Sequence, residues 1–469
     1  MSERIRQLSQ PAIARIRQIC SPERVITEKE KLFDYSHDES PHPPVLPAVV
    51  VKPLNSEEVA AIIRLARAER VPITPRGLGT GLAGGSVPIF GGIVLSLELM
   101  NQILEIDTKN LMVRTQPGVN TGRLQATCLE QGLYYPVDPA SLDDCSIGGN
   151  VATNAGGARA FKYGVTGDYV TGIQAVLPDG AIINYGGKLR KNATGYDLNK
   201  LFIGSEGTLA IITEITLRLV PKPRYSIDLL IPFPSLNLGV ELVLRLVQEK
   251  RLLPAVVEFM EKKGAAACQK VKKENLPFPD AEIQVLVELE GNDRTQVIED
   301  ALHLGEMAVA MGASEPLIAE DAATQTRLWS VRRSLAKTLK QVYPEVIAED
   351  IVVPLSRLPE TVEFIRKLEM ELNLTIVPFG HIGDGNIHTD FCRTTADRQT
   401  WHRTTRLAID RLIEFVIKVG GQISAEHGIG ALKRHLMKKG LSAAELDLMR
   451  KLKTALDPDN ILNPGKILP

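Results

Sequence analysis

Apolar positions recur at helical spacing only rarely in the first half of the chain and over long stretches of the second. The clearest early case follows Asn55-Ser56. There Val59, Ile62, Ile63 and Ala66 form one stripe, and Glu57 and Glu58 sit in the first turn, where the helix dipole favours acids. Elsewhere the first half alternates short apolar runs with glycine-rich turns, and residues 93–97, 112–115, 173–177 and 208–219 predict strands. Val220-Pro221-Lys222-Pro223 predicts a linker, because two prolines cannot continue a central strand. Beyond it come strands over 283–289 and 375–379, helices over 297–311 and 324–341, and a helix near 407–419 stopped by Gly420-Gly421. A turn-rich tail covers 456–465. The pattern is that of an α+β protein.

Composition narrows this picture. A chain of 469 residues exceeds the ~250–300 at which single cores stop growing, so two or three domains are expected. The balance of 55 basic against 56 acidic residues gives a net charge of -1 and excludes a general polyanion binder. The densest basic run, Lys262, Lys263, Lys270, Lys272 and Lys273, is interleaved with Glu261 and Glu274 and reads as a solvated helix face. Five scattered cysteines without a C-x-x-C pair exclude a disulfide framework or an iron–sulfur cluster held by this chain alone, and suggest a reducing cytoplasm. Residues 1–20 carry charges throughout and do not form a signal peptide. No run approaches the ~18 apolar residues of a membrane helix, which leaves a partner as the route to any membrane. Glycine is the unusual feature, with 37 residues unevenly placed.

Five of those glycines lie in Pro75-Arg-Gly-Leu-Gly-Thr-Gly-Leu-Ala-Gly-Gly-Ser86. Glycine lets backbone N–H groups converge on an anion with no Cβ in the way. Gly79 to Gly84 satisfies G-x-G-x-x-G, yet a dinucleotide fingerprint must open a helix, and this loop runs into a strand through Val87-Pro88. There is no G-K-[ST] either. A phosphate or pyrophosphate cradle on a non-Rossmann sheet remains. A second segment rich in glycine and small polar residues covers 137–157, and a third is Leu201-Phe-Ile-Gly-Ser-Glu-Gly-Thr208. In this order the three segments resemble the FAD domain of the vanillyl-alcohol-oxidase type (PCMH type). The nearest likeness is the FAD-linked D-2-hydroxyacid dehydrogenase family, which includes D-lactate dehydrogenase, the glycolate oxidase flavin subunit and D-2-hydroxyglutarate dehydrogenase.

The resemblance implies four parts: an N-terminal helical segment (1–45), an FAD-binding domain (46–223), a ferredoxin-like α+β substrate cap (224–420), and a C-terminal segment (421–469) completing the FAD and metal sites. By it, Arg76, Gly77, Gly79, Thr80, Gly81, Gly84 and Gly85 hold the FAD pyrophosphate. Pro139, Ser141, Asp144, Ser146, Ile147, Gly148, Asn150, Asn154, Gly156 and Gly157 line adenine, ribose and flavin. Gly207 and Ile211 follow along the cofactor, and Asn463 returns to the isoalloxazine. Some members attach FAD through a histidine of the first loop. Thr80 and its neighbours offer none, so FAD is expected to be non-covalent; Cys145 is the only thiol near the second segment.

Phe379-Gly-His-Ile-Gly-Asp-Gly-Asn-Ile-His-Thr-Asp390 carries chemistry of its own. Asp384-Gly385 is a strong two-residue hairpin signal. A turn centred there pairs His381 directly with His388, on one face, where two imidazoles can share a divalent ion. Ser424-Ala-Glu-His-Gly-Ile-Gly430 offers a third ligand. Adjacent residues diverge, so Glu426 as ligand and His427 as base is the economical division, and the resemblance implies the same one. Zinc, manganese and iron all suit two histidines and a carboxylate, with zinc the first expectation. Arg332, one turn after Trp329, offers a fork for a carboxylate, and family members place an arginine there against substrate. By the resemblance, the hydroxyglutarate enzymes carry a threonine and a lysine at what are here Ala336 and roughly Ala348, which favours a small substrate. Residues 192–197 also follow the family, without an assigned role.

The expected activity is oxidation of D-lactate or glycolate to the 2-oxoacid, with D-2-hydroxyglutarate as the alternative. Hydride passes to flavin N5, and electrons pass to an iron–sulfur subunit, an electron-transfer flavoprotein or a quinone. No nucleic-acid partner is expected, and a homodimer stays open. Two rivals are a metal-dependent hydrolase, which leaves the glycine-rich half unexplained, and a non-catalytic flavoprotein that only relays electrons.

Overall fold

The structure, a computed structural model, describes residues 8–273 and 277–469. The first seven residues of the N-terminal segment, and Glu274 of the charged run, lie outside the described residues. The chain forms two units. One takes in the chain up to Gly156, then Val165–Lys222 and Glu426–Pro469; the other consists of Gly157–Gly164 and Pro223–Ala425.

The first unit is built around the helix Ser56–Glu69. Its Asn55 cap accepts the Glu58 N–H at 2.9 Å. Its stripe of Val59, Ile62, Ile63 and Ala66 is buried with Val49, Val51, Ile73, Ile93 and Leu95. The strands beneath form a four-stranded sheet in the order Val25–Ile26, Val49–Val51, Ile93–Ser96, Ile73–Arg76, whose last three strands run parallel. A five-stranded antiparallel sheet follows in the order Ile103–Asp107, Met112–Thr115, Ile211–Arg218, Val170–Val176, Ile182–Gly186. The tail belongs here by packing: Ile461 and Leu462 enter the same core, and Leu462 bridges to Ile73.

Two local differences from the sequence reading have physical causes. Val220–Pro221 is not bare linker but pairs with Leu133–Tyr134, a two-residue ladder that tolerates a proline no central strand would accept. The segment 137–157 is not all loop, because it contains the helix Ile147–Thr153, and the helix Thr121–Glu130 precedes it. Gly148 and Gly149 lower the helical propensity of the former enough to hide it, and the Ser146 cap, accepting the Gly149 N–H at 3.3 Å, restores it.

The second unit is a seven-stranded antiparallel sheet in the order Leu317–Ala319, Tyr225–Phe233, Ile283–Gly291, Val256–Glu261, Thr375–His381, Asn386–Cys392, Val346–Val352. Helices cover both faces. Gly239 of Leu236–Gln248 lies against Val285. On the other face, Lys262–Lys272 and Ala322–Val342 bury Ala265, Cys268, Val331, Leu335 and Leu339 with Met260, Val377 and Phe379. Lys262 and Lys263 remain 43% and 45% exposed and pair with Asp280 and Glu369, as a solvated helix face requires. The helix placed near 407–419 runs over Arg398–Lys418. Its first turns are polar apart from the buried Trp401, so the Asp397 cap and that single apolar residue mark the true start.

Candidate active site

The glycine loop leaves the strand Ile73–Arg76 and lines a cleft in the first unit of about 1320 Å³, including its open mouth. Among the described residues, no backbone carbonyl accepts from the N–H groups of residues 77–82, which leaves them available to an anion. The cleft would not survive bulk here: a Cβ at Gly77 would lie 2.4 Å from Ser146 Oγ, and one at Gly148 would lie 2.4 Å from Pro117 Cβ. Arg76 braces the loop from behind. Its Nη1 donates to the His37 carbonyl at 2.6 Å and to Ser86 Oγ at 3.4 Å, and burial lowers its pKa.

Of the expected cofactor residues, Arg76, Gly77, Gly79, Thr80, Gly81 and Gly85 line the cleft, as do Pro139, Ser141, Ser146, Gly148, Asn150, Gly207 and Ile211. Gly84, Asp144, Ile147, Asn154 and Gly156 belong to the same unit but not to the lining, and Gly157 belongs to the second unit. Asn463 is buried behind the loop, where its Nδ2 donates to the carbonyls of Gly85 at 3.0 Å and Glu206 at 2.7 Å. Lys466 does similar work, donating to the Gly84 and Val87 carbonyls at 2.6 Å each. Cys145 also lines the cleft, but burial raises its pKa and keeps it a thiol.

Glu426 and His427 line this cleft as well. So does Glu206, a buried carboxylate absent from the sequence-based site. Its Oε1 accepts the Ile429 N–H at 2.7 Å, and its Oε2 accepts the Gly430 N–H at 2.8 Å. Burial pushes its pKa up to about 7 against the pull of those two donors.

The histidine pair lies in the second unit, in a register that differs from the expected one. His381 pairs with Asn386, and His388 pairs with Phe379, so the loop has four residues rather than two. Gly385, at φ 70°, takes the left-handed position, with its N–H on the Ile382 carbonyl at 3.1 Å. Strand faces repeat every second residue, so this two-residue shift keeps both imidazoles on one face, diagonally rather than directly opposed. Their Nε2 atoms converge at 3.4 Å. Two nitrogens each ~2.0–2.1 Å from one tetrahedral ion would stand about 3.4 Å apart, so the pair fits a shared ion.

Each imidazole is held from behind. Glu258, opposite His381 on the neighbouring strand, hydrogen-bonds His381 Nδ1, and Asp350 lies 3.7 Å from His388 Nδ1. Such carboxylates fix the ring and favour ligation through Nε2. Asp350 also accepts from Asn386 Nδ2 at 2.8 Å, Ser424 Oγ at 3.0 Å and the Ala425 N–H at 2.9 Å. Burial works against ionised Glu258, yet Arg332 and the histidines outweigh it and hold the carboxyl below its ordinary range. Arg332 Nη2 stands 2.5 Å from Glu258 Oε2, the guanidinium lies 5.1 Å from the Phe379 ring centre, and Nε has no hydrogen-bond partner among the described residues. Ala336 and Ala348 are exposed, so the substrate argument built on them gains no side-chain contact.

A glycine-cradled cleft in one unit and a carboxylate-backed histidine pair in the other define a flavin-dependent oxidoreductase. Two family models match the chain: an FAD binding domain over residues 47–186, and the C-terminal domain of FAD linked oxidases over 222–467. The glycolate oxidase subunit GlcD of Bacillus subtilis is 38% identical over 96% of this chain and 95% of its own. A D-lactate dehydrogenase of Anaerostipes hadrus is 36% identical, covering 95% of each chain. A D-2-hydroxyglutarate dehydrogenase of Stutzerimonas stutzeri is 35% identical over 98% of this chain and 99% of its own. The solved structure of p-cresol methylhydroxylase superposes with a TM-score of 0.82 at 17% identity, covering 98% of this chain and 97% of that one, and shares the fold. The chain belongs to the FAD-linked D-2-hydroxyacid dehydrogenase family and has the vanillyl-alcohol-oxidase-type fold. Its cofactor is FAD. Among the described residues, no helix is long and apolar enough to cross a membrane.

Proposed function

We propose that this protein oxidises a small D-2-hydroxyacid, D-lactate or glycolate, to the corresponding 2-oxoacid with the help of a divalent ion. The observation that carries the reading is the convergence of His381 and His388 Nε2 at 3.4 Å with a carboxylate behind each ring. Carboxylates at the Nδ1 atoms fix the rings and direct both Nε2 atoms to one point, the arrangement in which histidines ligate an ion. Glu426 is the third ligand in this reading, completing a two-histidine, one-carboxylate donor set that leaves positions for a chelating substrate. Bound in these sites, FAD supplies the hydride acceptor and the ion a Lewis acid that lowers the pKa of the substrate hydroxyl.

The chain's own residues do the rest. His427 removes the hydroxyl proton. Arg332, charged and with an unpartnered Nε, anchors the substrate carboxylate while Glu258 holds its other edge. The loop from Arg76 to Ser86 holds the pyrophosphate, residues 141–157 line adenine, ribose and flavin, and with no histidine in the first loop the cofactor is bound non-covalently. Electrons leave to a separate protein or quinone. The support for that last clause is that all five cysteines are free and buried, with no spacing for an onward cluster. Dye-coupled turnover of D-lactate and glycolate tests the activity. Chelation should abolish turnover and added zinc or manganese should restore it, and full activity in His388→Ala would contradict the metal role.

A further inference from the structure

Glu206 is a buried carboxylate on the wall of the cofactor cleft that the proposed chemistry does not use. It reacts with nothing in that scheme, yet both of its oxygens are committed. Oε1 accepts the Ile429 N–H at 2.7 Å, and Oε2 accepts the Gly430 N–H at 2.8 Å. These donors are the second and third residues after His427. The backbone there turns through Gly428 and Gly430, whose φ of 78° and 50° lie in the left-handed region that glycine adopts without strain. A Cβ at Gly428 would lie 2.9 Å from Glu206 Oε1, so the glycine lets the chain close down on the carboxylate.

The 201–208 segment is itself fixed. The Gly204 N–H donates to the Val151 carbonyl at 3.0 Å and the Glu206 N–H donates to the Ala152 carbonyl at 2.8 Å, tying it to the cleft-lining helix Ile147–Thr153. Asn463 Nδ2 donates to the Glu206 carbonyl at 2.7 Å from the tail. Glu206 is therefore a fixed anchor that grips the glycine-flanked turn next to the proposed base, while the Ala431 and Leu432 N–H groups further along donate to the Ala83 carbonyl at 3.0 and 3.2 Å.

We propose that Glu206 is a positioning residue for His427. Its two-oxygen grip on Ile429 and Gly430 fixes the backbone from which the imidazole projects into the cleft. The inference rests on His427 being the base. Gln keeps the shape of Glu206 but replaces one acceptor oxygen with an NH₂ that cannot accept the second N–H, whereas Asp keeps both acceptors on a shorter arm.

The test is anaerobic stopped-flow reduction of the FAD-loaded wild type, Glu206→Gln, Glu206→Asp and His427→Ala by D-lactate. Flavin content is measured alongside, as is hydrogen exchange at residues 426–432. Glu206→Gln should keep its flavin, reduce it about 10-fold to 100-fold more slowly at saturating substrate with little change in half-saturating concentration, and exchange the Ile429 and Gly430 amides faster. Glu206→Asp should recover part of the rate. Wild-type rate and exchange in a flavin-loaded Glu206→Gln would overturn the inference. So would loss of flavin from both variants, which would make Glu206 a cofactor or folding residue. Wild-type reduction in His427→Ala would instead sink the base assignment itself, and the exchange result would still report on the Glu206 grip.

Discussion

The site is made of short side-chain chains rather than isolated ligands. Arg332 holds Glu258, Glu258 holds His381, and His381 faces His388, which Asp350 backs. Every link is buried, so each member orients the next without competition from water. A residue-scale consequence is that Glu258 governs metal affinity without touching the ion. Glu258→Gln should weaken zinc binding about 10-fold to 100-fold in a competition titration, because a His381 ring freed from its carboxylate loses both basicity and orientation. Unchanged affinity would assign Glu258 to charge balance for Arg332 alone. Glu258 and Asp350 left a trace in the sequence, each an acid set among the apolar residues of a strand, Val-Val-Glu-Phe and Glu-Asp-Ile-Val-Val. Such strands seldom bury a carboxylate without a partner to satisfy it.

Among elements, close approach decides more than propensity. The helix Ile147–Thr153 exists because Gly148 lets it press on Pro117 and Ser146 caps it. Gly148→Ala would force a Cβ within 2.4 Å of Pro117 Cβ, with the Pro117 carbonyl at 2.9 Å. The expected cost is about 1–3 kcal/mol, seen as a lower Tm together with a lower flavin-to-protein ratio on purification. Full flavin and an unchanged Tm would show that the helix can shift without harm. The same element shows why some of the architecture was legible in the sequence and some was not. The helix Ser56–Glu69 announced itself through a cap and a stripe, and the cleft loops through their glycines. The helix Ile147–Thr153 and the start of Arg398–Lys418 did not, because glycine in one and polar first turns in the other erase the periodic signal. The hairpin register failed for a related reason. Asp-Gly marks a turn, but whether the loop has two residues or four is set by the ladder beside it, and only the parity of the shift kept both histidines on one face. Glu206 was out of reach, since its partners lie more than 200 residues away and are backbone amides.

Across the whole molecule, buried acids tie stability to pH. Glu261 is buried, which pushes its pKa up to about 7 against the pull of Arg366 at 2.9 Å. In the unfolded chain it titrates near ~4.3. Between these values the native state binds more protons, so this group's contribution lowers the unfolding free energy as pH rises from about 4.5 to 7 and then levels off. Glu261→Gln removes that dependence. Its Tm relative to the wild type should therefore rise between pH 5 and pH 8, and a difference that stays flat or falls would contradict a buried, protonation-preferring Glu261. The two units divide the chemistry in the same large-scale way: one carries the cofactor cleft with Glu426 and His427, the other the histidine pair with its carboxylates. The most direct measurement of the central claim is the visible spectrum of the purified flavoprotein, held anaerobically and mixed in turn with D-lactate, glycolate, D-2-hydroxyglutarate and L-lactate. The account predicts rapid bleaching by D-lactate or glycolate, lost on chelation and absent with L-lactate. A flavin that stays oxidised with every D-2-hydroxyacid would contradict it.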